Sequence, residues 1–246
     1  MFKLKYSLGL FVAALSFNAL AAANPTNLAL AGCKFFDIRS ERPCLLKSNE
    51  AMSEWQYTDR VTNLPADMKF IINKFVTCTG KTCLSVGGYN TFTNPLSYNA
   101  FIMRSEDNGL SWNMNDVTSA DTFSSGLGNI SCDNTVCIAF GRNEPLKHKM
   151  RPFILASHDK FQSWQEITTI ANLDADASIG TLQSTCTSEY CVMASSLYDM
   201  KQDASKPVFF FSDNDKTKWS AVPPSPTTPF FKMISIGNVS CSKNTC

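Results

Sequence analysis

The cysteines constrain this chain most, because their spacing repeats. They fall at 33, 44, 78, 83, 132, 137, 186, 191, 241 and 246, and the last four pairs all read C-x4-C. The first members of the five pairs are 45, 54, 54 and 55 residues apart. A fixed period of this size marks a repeat architecture, in which each unit buries its apolar face only against its neighbours. The tryptophans keep the same period: Ser48 precedes Trp55, Ser105 precedes Trp112, Ser157 precedes Trp164 and Ser212 precedes Trp219, each by seven residues.

Two apolar runs separate the second cysteine of a pair from the serine. They are Leu84-Ser-Val and Ala100-Phe-Ile-Met, then Ile138-Ala-Phe and Phe153-Ile-Leu-Ala, then Val192-Met-Ala and Val208-Phe-Phe-Phe. A further run follows each tryptophan and another precedes each C-x4-C, as in Gly128-Asn-Ile-Ser and Gly237-Asn-Val-Ser. Their β-branched and aromatic content, bounded by Gly, Asn, Asp, Ser and Pro, predicts four short strands per unit. Four strands in about 54 residues is the size of one propeller blade. The expected fold is all-β: a propeller of about four four-stranded antiparallel blades, or part of a larger one.

The amino terminus sets the expected compartment. Lys3 and Lys5 form a basic segment, Ser7 to Leu20 an apolar one, and Ala21-Ala22-Ala23 a cleavage site, so residues 1–23 read as a signal peptide and 24–246 as the mature domain. No later stretch reaches the roughly 20 apolar residues of a membrane span. Removing residues 1–23 leaves 20 basic and 21 acidic side chains, a net charge of −1, which argues against nucleic acid as partner. Ten cysteines in an exported chain read as disulfides, secreted or periplasmic.

SEDNGLSW at 105–112 is similar to the Asp-box of bacterial neuraminidase-type repeats, S-x-D-x-G-x-[TS]-W, at every defined position. SHDKFQSW at 157–164 lacks the glycine, SDNDKTKW at 212–219 keeps only Ser212 and Trp219 at aligned positions, and SNEAMSEW at 48–55 has Glu50 in place of the aspartate. The chain thus resembles an Asp-box β-propeller over residues 33–246. The resemblance implies that C-x4-C spans the first hairpin turn of each blade and the box the third, on one face of the disc. It pairs Cys78–Cys83, Cys132–Cys137, Cys186–Cys191 and Cys241–Cys246, with Cys33–Cys44 in a shortened first blade. In these families the box is a folding element, so Ser105, Asp107, Gly109, Trp112, Ser157, Asp159 and Trp164 are read as structural. No metal or other cofactor is expected: zinc held by cysteine pairs does not suit an exported chain.

Function is therefore expected on the opposite face. Its loops hold Tyr89 and Tyr98; Arg142, Glu144, Lys147, His148 and Arg151; Tyr198 and Asp199; and Asp116, Asp121, Asp174 and Asp176. Arg142 and Arg151 are candidates to grip a carboxylate as two guanidinium forks, with Lys147, His148, Tyr89 and Tyr98 beside them. Sialidases, which the boxes resemble, need three arginines, a tyrosine–glutamate pair and an acid/base aspartate. The weak candidates here are Tyr198 with Glu144, or Glu144 with Asp174 or Asp199 as two carboxylates. Without a motif behind them, the expectation is a non-catalytic module that binds a protein or glycan, with an exo-glycosidase and a truncated inactive relative as alternatives. The clusters Phe35-Phe36, Phe209-Phe210-Phe211 and Phe230-Phe231 read as strand core.

Leu30-Ala31-Gly32-Cys33 matches a lipobox, which makes a lipid anchor at Cys33 the alternative to its disulfide. The fifth cysteine pair has no B strand after it, so either the last segment completes the first blade or further blades exist elsewhere.

Overall fold

The computed structural model describes residues 30–32, 45–48, 55–58 and 60–241, apart from 120–121, 133–135, 146–148, 175–176, 181, 200–202, 223–224, 226, 233–235 and 237–238. The signal segment 1–23, Cys33 with its alternative lipid anchor, Cys44, Cys246, Phe35, Phe36, Asp121, Lys147, His148 and Asp176 lie outside the described residues.

The described residues form strands and no helix, in four sheets. The first sheet joins β1 (Leu30–Gly32), β2 (Leu45–Ser48) and β3 (Trp55–Thr58). The second contains β4 (Val61–Thr62), β5 (Met68–Thr79), β6 (Thr82–Thr91), β7 (Asn99–Ser105) and β8 (Trp112–Asp116). The third contains β9 (Thr122–Cys132), β10 (Cys137–Pro145), β11 (Arg151–Ser157) and β12 (Gln165–Glu166). The fourth contains β13 (Ile170–Ala171), β14 (Ser178–Ile179), β15 (Gln183–Cys186), β16 (Cys191–Asp199), β17 (Ala204–Ser212) and β18 (Trp219–Val222).

Each complete sheet contains an antiparallel four-strand meander, the inner strand ending at or one residue past the first cysteine of a pair and the outer one starting at or just after a tryptophan. Two sheets gain an outermost piece that the sequence reading missed. Here β4 pairs parallel with β8 and β13 with β18, so the chain leaving one blade covers the outer edge of the next. Pairing those edges satisfies backbone groups that a bare edge strand would expose. The first sheet has three strands rather than four among the described residues.

Three cores lie between consecutive sheets, one at each junction. Strand alternation builds them: Leu84 and Val86 face the third sheet, whereas Cys83 and Tyr89 join Leu45 in the core toward the first. Because both faces of a middle sheet are covered, its strands read as continuous apolar runs without polar alternation. Trp112 and Trp219 are each 2% exposed and pack backward against the preceding sheet, Trp219 edge-on to Phe140 with centroids 5.6 Å apart. The repeated packing of sheet on sheet is a β-propeller arrangement. Gly87 and Gly141 mark the close approaches within it: a Cβ at either would run into the backbone of the adjacent inner strand, at Ile72 or Gly126, beside a bulge.

The phenylalanine run divides differently from its expected role as core. Phe210 is buried, but Phe209 and Phe211 are exposed with Val222 on the far side of the fourth sheet, which no described sheet covers. Phe230 and Phe231 are exposed too.

Disulfides link Cys78–Cys83, Cys132–Cys137 and Cys186–Cys191, each pair directly opposed in a hairpin. Cys241 is also disulfide-bonded, and Cys246, the partner its spacing assigns, lies outside the described residues. These bonds suit an oxidising compartment.

Candidate functional site

Two contacts fix which turns share a face. The Asn108 amide donates to the Lys81 carbonyl at 3.0 Å, joining the serine–tryptophan turn of the second sheet to its cysteine hairpin. In the fourth sheet, Lys216, 3% exposed, reaches the Ser188 carbonyl with its ammonium at 3.1 Å. The loops between β6 and β7, β10 and β11, and β16 and β17 therefore leave the opposite ends of the strands.

The serine–tryptophan turns spend their polar groups internally. Asp107 accepts from the Ser105 hydroxyl at 2.8 Å, the Leu110 and Ser111 amides at 3.0 and 2.8 Å, and the Ser111 hydroxyl at 2.5 Å. Burial pulls its carboxyl upward, but the bonds from Ser111, Ser105 and Leu110 outweigh it and hold the group at about 2. Asp159 repeats this set with Ser157, Gln162 and Ser163, and the Ser163 hydroxyl, first among these, holds it below the usual carboxylate range. Phe161 replaces the glycine in the left-handed region at φ 69°, where Gly109 has 79°. Asn214 occupies the aligned aspartate position of the fourth-sheet turn, yet Asp213 does the work one residue earlier, accepting from the Thr217 and Lys218 amides at 2.9 and 3.1 Å. Trp112 and Trp219 each donate their indole N–H to the carbonyl three residues back, at 3.1 and 3.3 Å. Ser48 and Trp55 are register partners at the corresponding place in the first sheet.

On the opposite face, several expected ligand contacts are rearranged. Tyr89 is 3% exposed, and its hydroxyl donates to Asp116 at 2.5 Å. Burial, reinforced by Asp116 and then Asp67, pushes that phenol upward, so it is a neutral brace and not an open ligand contact. Arg142 pairs with Pro152 and Arg151 with Asn143, adjacent rungs of the same ladder. Successive rungs alternate sides, placing Arg142 on the face toward the fourth sheet and Arg151 on the face toward the second. The two arginines expected to act as a double fork thus leave the β10–β11 ladder on opposite sides.

The tyrosine and the glutamate of the expected pair start on these strand sides. Glu144 lies on the side of β10 toward the fourth sheet, whereas Tyr198 lies on the side of β16 turned away from the third. The Tyr198 hydroxyl is engaged by Asp203 at 2.5 Å, which pushes its phenol upward ahead of any burial. Asp199, one rung from Tyr198, faces the same inter-sheet space as Glu144. Asp174 lies in the loop before β14, its carbonyl accepting from the Ala177 amide at 3.0 Å. Among the described residues no group of three or more metal-ligating side chains occurs, and no helix is long and apolar enough to cross a membrane.

The loop at 92–98 on this face is braced by several hydrogen bonds. Thr93 donates to Asp67 at 2.8 Å, the Phe92 amide to the Asp67 carbonyl at 2.9 Å, and the Asn90 side chain to the Pro95 carbonyl at 3.1 Å. Tyr98 is tied to the third sheet through the Ser124 hydroxyl at 3.1 Å and the Ser125 amide at 2.7 Å. The braced loop holds apolar groups outward: Phe92 is 58% exposed, Leu96 83% and Tyr98 37%, with Phe123 at 37% beside Ser124. Sequence reading found Tyr98 but missed Phe92, Phe123 and Asp67, because an exposed aromatic and a core aromatic look alike without the register.

No protein-family model matches the chain, and no curated protein matches it. Solved structures do match. The α-L-arabinanase of Penicillium chrysogenum, complexed with arabinobiose, aligns with a TM-score of 0.53 and 11% identity, over 82% of this chain and 65% of that one. The GH93 α-L-arabinofuranosidase of Fusarium graminearum, also with arabinobiose, aligns at 0.48 and 12% identity, over 77% and 61%. A third, an ulvan lyase of polysaccharide lyase family PL25, aligns at 0.44 and 12%, over 73% and 48%. The chain spans less than two thirds of the length of each of these structures. At such identities the likeness to the arabinanase is one of fold, and the fold is that of a β-propeller.

Proposed function

We propose that the protein is an exported Asp-box β-propeller that binds a glycan, without catalysis, through the face opposite its boxes. The observation that carries this reading is the braced loop that leaves Phe92, Leu96 and, in part, Tyr98 exposed on this face. Exposed aromatic side chains on a rigid support are a costly surface for a chain with no ligand, and flat apolar rings with a polar rim suit the faces of sugar rings. The arabinobiose complex of the Penicillium chrysogenum fold neighbour is compatible with such a ligand. The internally satisfied Asp107 and Asp159 turns support the Asp-box assignment, and the hairpin disulfides together with Lys3, Lys5 and Ala21–Ala23 support export to the periplasm or beyond. We read about four blades in the mature domain, or part of a larger ring, with the first blade shortened.

The non-catalytic half of the reading rests on the separation of Glu144 from Tyr198 and on the brace role of Tyr89. Binding of arabinobiose and a small panel of neutral disaccharides by calorimetry tests the first half, with loss expected in Phe92→Ala and Tyr98→Ala. Incubation with a fluorogenic sialoside and a glycoside panel tests the second. Turnover abolished by Glu144→Gln would replace the binding reading with an exo-glycosidase.

A further inference from the structure

At the rim, on the box side, consecutive blades leave a groove between them, and the described residues contain two such grooves in succession. The first, about 610 Å³, runs between the second sheet and the box turn of the third, lined by Arg104, Glu106, Asn113, Asn115, Phe161 and Gln162 among others. The second, about 460 Å³, lies one blade further on, where the repeat puts Ala156, His158, Gln165 and Ile167 in the places of Arg104, Glu106, Asn113 and Asn115. The fold makes both grooves, and only the first carries a full set of planar polar groups.

Register explains how these groups converge. Arg104 pairs with Asn113, and Ile102, two residues before Arg104, pairs with Asn115. Ile102 belongs to the core shared with the third sheet, so all three polar side chains stand on the side facing that sheet's box turn and Gln162. The Asn63 side-chain amide donates to the Asn113 side-chain oxygen at 3.2 Å, so the Asn113 amide nitrogen is the group of that side chain left to face a ligand oxygen as donor.

Arg104 meets Glu106 through one terminal nitrogen at 2.7 Å, and its Nε is buried with no partner. One guanidinium stands against the carboxylates of Glu106 and Asp107, which disfavours an anion. Asp107 has its oxygens committed within its own turn, leaving the guanidinium, Glu106 and three amides for a ligand. An extended peptide added as a strand is also disfavoured, because the outer edge of β8 is already paired with β4.

We propose that this groove is a second binding site, for an uncharged, hydroxyl-rich saccharide whose oxygens meet Arg104, Glu106 and the amides of Asn113, Asn115 and Gln162. It stands apart from the aromatic loop on the opposite face and does not depend on it.

Side-chain amide resonances of the full mature chain test this, titrated with arabinobiose, cellobiose and mannobiose at millimolar concentration. At least one sugar is expected to shift the Asn113, Asn115 and Gln162 signals. Asn115→Ala, at an exposed position that folding does not need, should weaken that binding about tenfold, and Arg104→Leu should do the same or more. Tyr98→Ala should leave it unchanged. The site is overturned if none of the three sugars shifts these signals, if the shifts persist at full affinity in Asn115→Ala, or if Tyr98→Ala abolishes them. In the last case the sugar acts from the other face, which separates this outcome from failure of the aromatic-loop reading.

Discussion

Ser157 stands directly opposite Cys137 across β10 and β11. Ser105 stands opposite Cys83 in the second sheet, and in the fourth the Cys191 amide donates to the Ser212 hydroxyl at 2.7 Å. Staple and serine–tryptophan turn are therefore two parts of one strand-end unit, repeated in each complete blade. Its cysteine bridge closes a very short loop, so chain entropy gives it about 2 kcal/mol. Replacing Cys132 and Cys137 together by alanine should lower stability by about that amount in denaturant unfolding, without changing the other bridges in a non-reducing peptide map. A larger loss would mean that the staple also holds the box turn beside it.

The tryptophans should rank by burial and not by how well their boxes match the motif. Trp112 and Trp219 are equally buried in inter-sheet cores although their boxes are the best and among the poorest matches, while Trp164 is only partly buried. Trp112→Ala and Trp219→Ala are each expected to cost about 3–5 kcal/mol. Trp164→Ala should cost visibly less in the same unfolding experiment.

The all-β propeller fold and the hairpin staples were legible because each depends on local spacing that period and turn chemistry reveal. Asp213 was hidden by a one-residue shift that alignment penalises and hydrogen bonding does not. The pieces β4 and β13 were hidden because two residues carry no periodicity. The candidate site was less legible still: whether Arg142 meets Arg151, or Glu144 meets Tyr198, depends on a strand's phase relative to its neighbour. One rung reverses the answer, and the residue types at those positions say nothing about it.

Acid should find the serine–tryptophan turns early. The Asp107 carboxyl is held at about 2 in the folded chain against an ordinary 3.8, so the unfolded chain binds its proton more tightly. Its stabilising contribution is whole above about pH 4 and is lost as the pH falls toward 2. Asp159, lowered chiefly by the Ser163 hydroxyl, acts in the same direction. Thermal midpoints measured down this range should fall more steeply for the native chain than for Asp107→Asn, and least for Asp107→Asn combined with Asp159→Asn. Parallel profiles would assign the acid sensitivity to other carboxylates.

Tyr89 separates a brace from a site. Its ring fills the core between the first two sheets while its hydroxyl reaches Asp116 at the mouth of the opposite face. Tyr89→Phe keeps the ring and removes only that bond, and Asp116 is exposed enough for water to replace the lost donor. The expected cost is therefore about 1 kcal/mol of stability, a small drop in the unfolding midpoint. Binding of neutral disaccharides at the aromatic loop should not change. If instead stability is untouched and saccharide affinity falls tenfold or more, the hydroxyl faces the ligand, and Tyr89, Asp116 and Asp67 must be counted among the residues of the functional face.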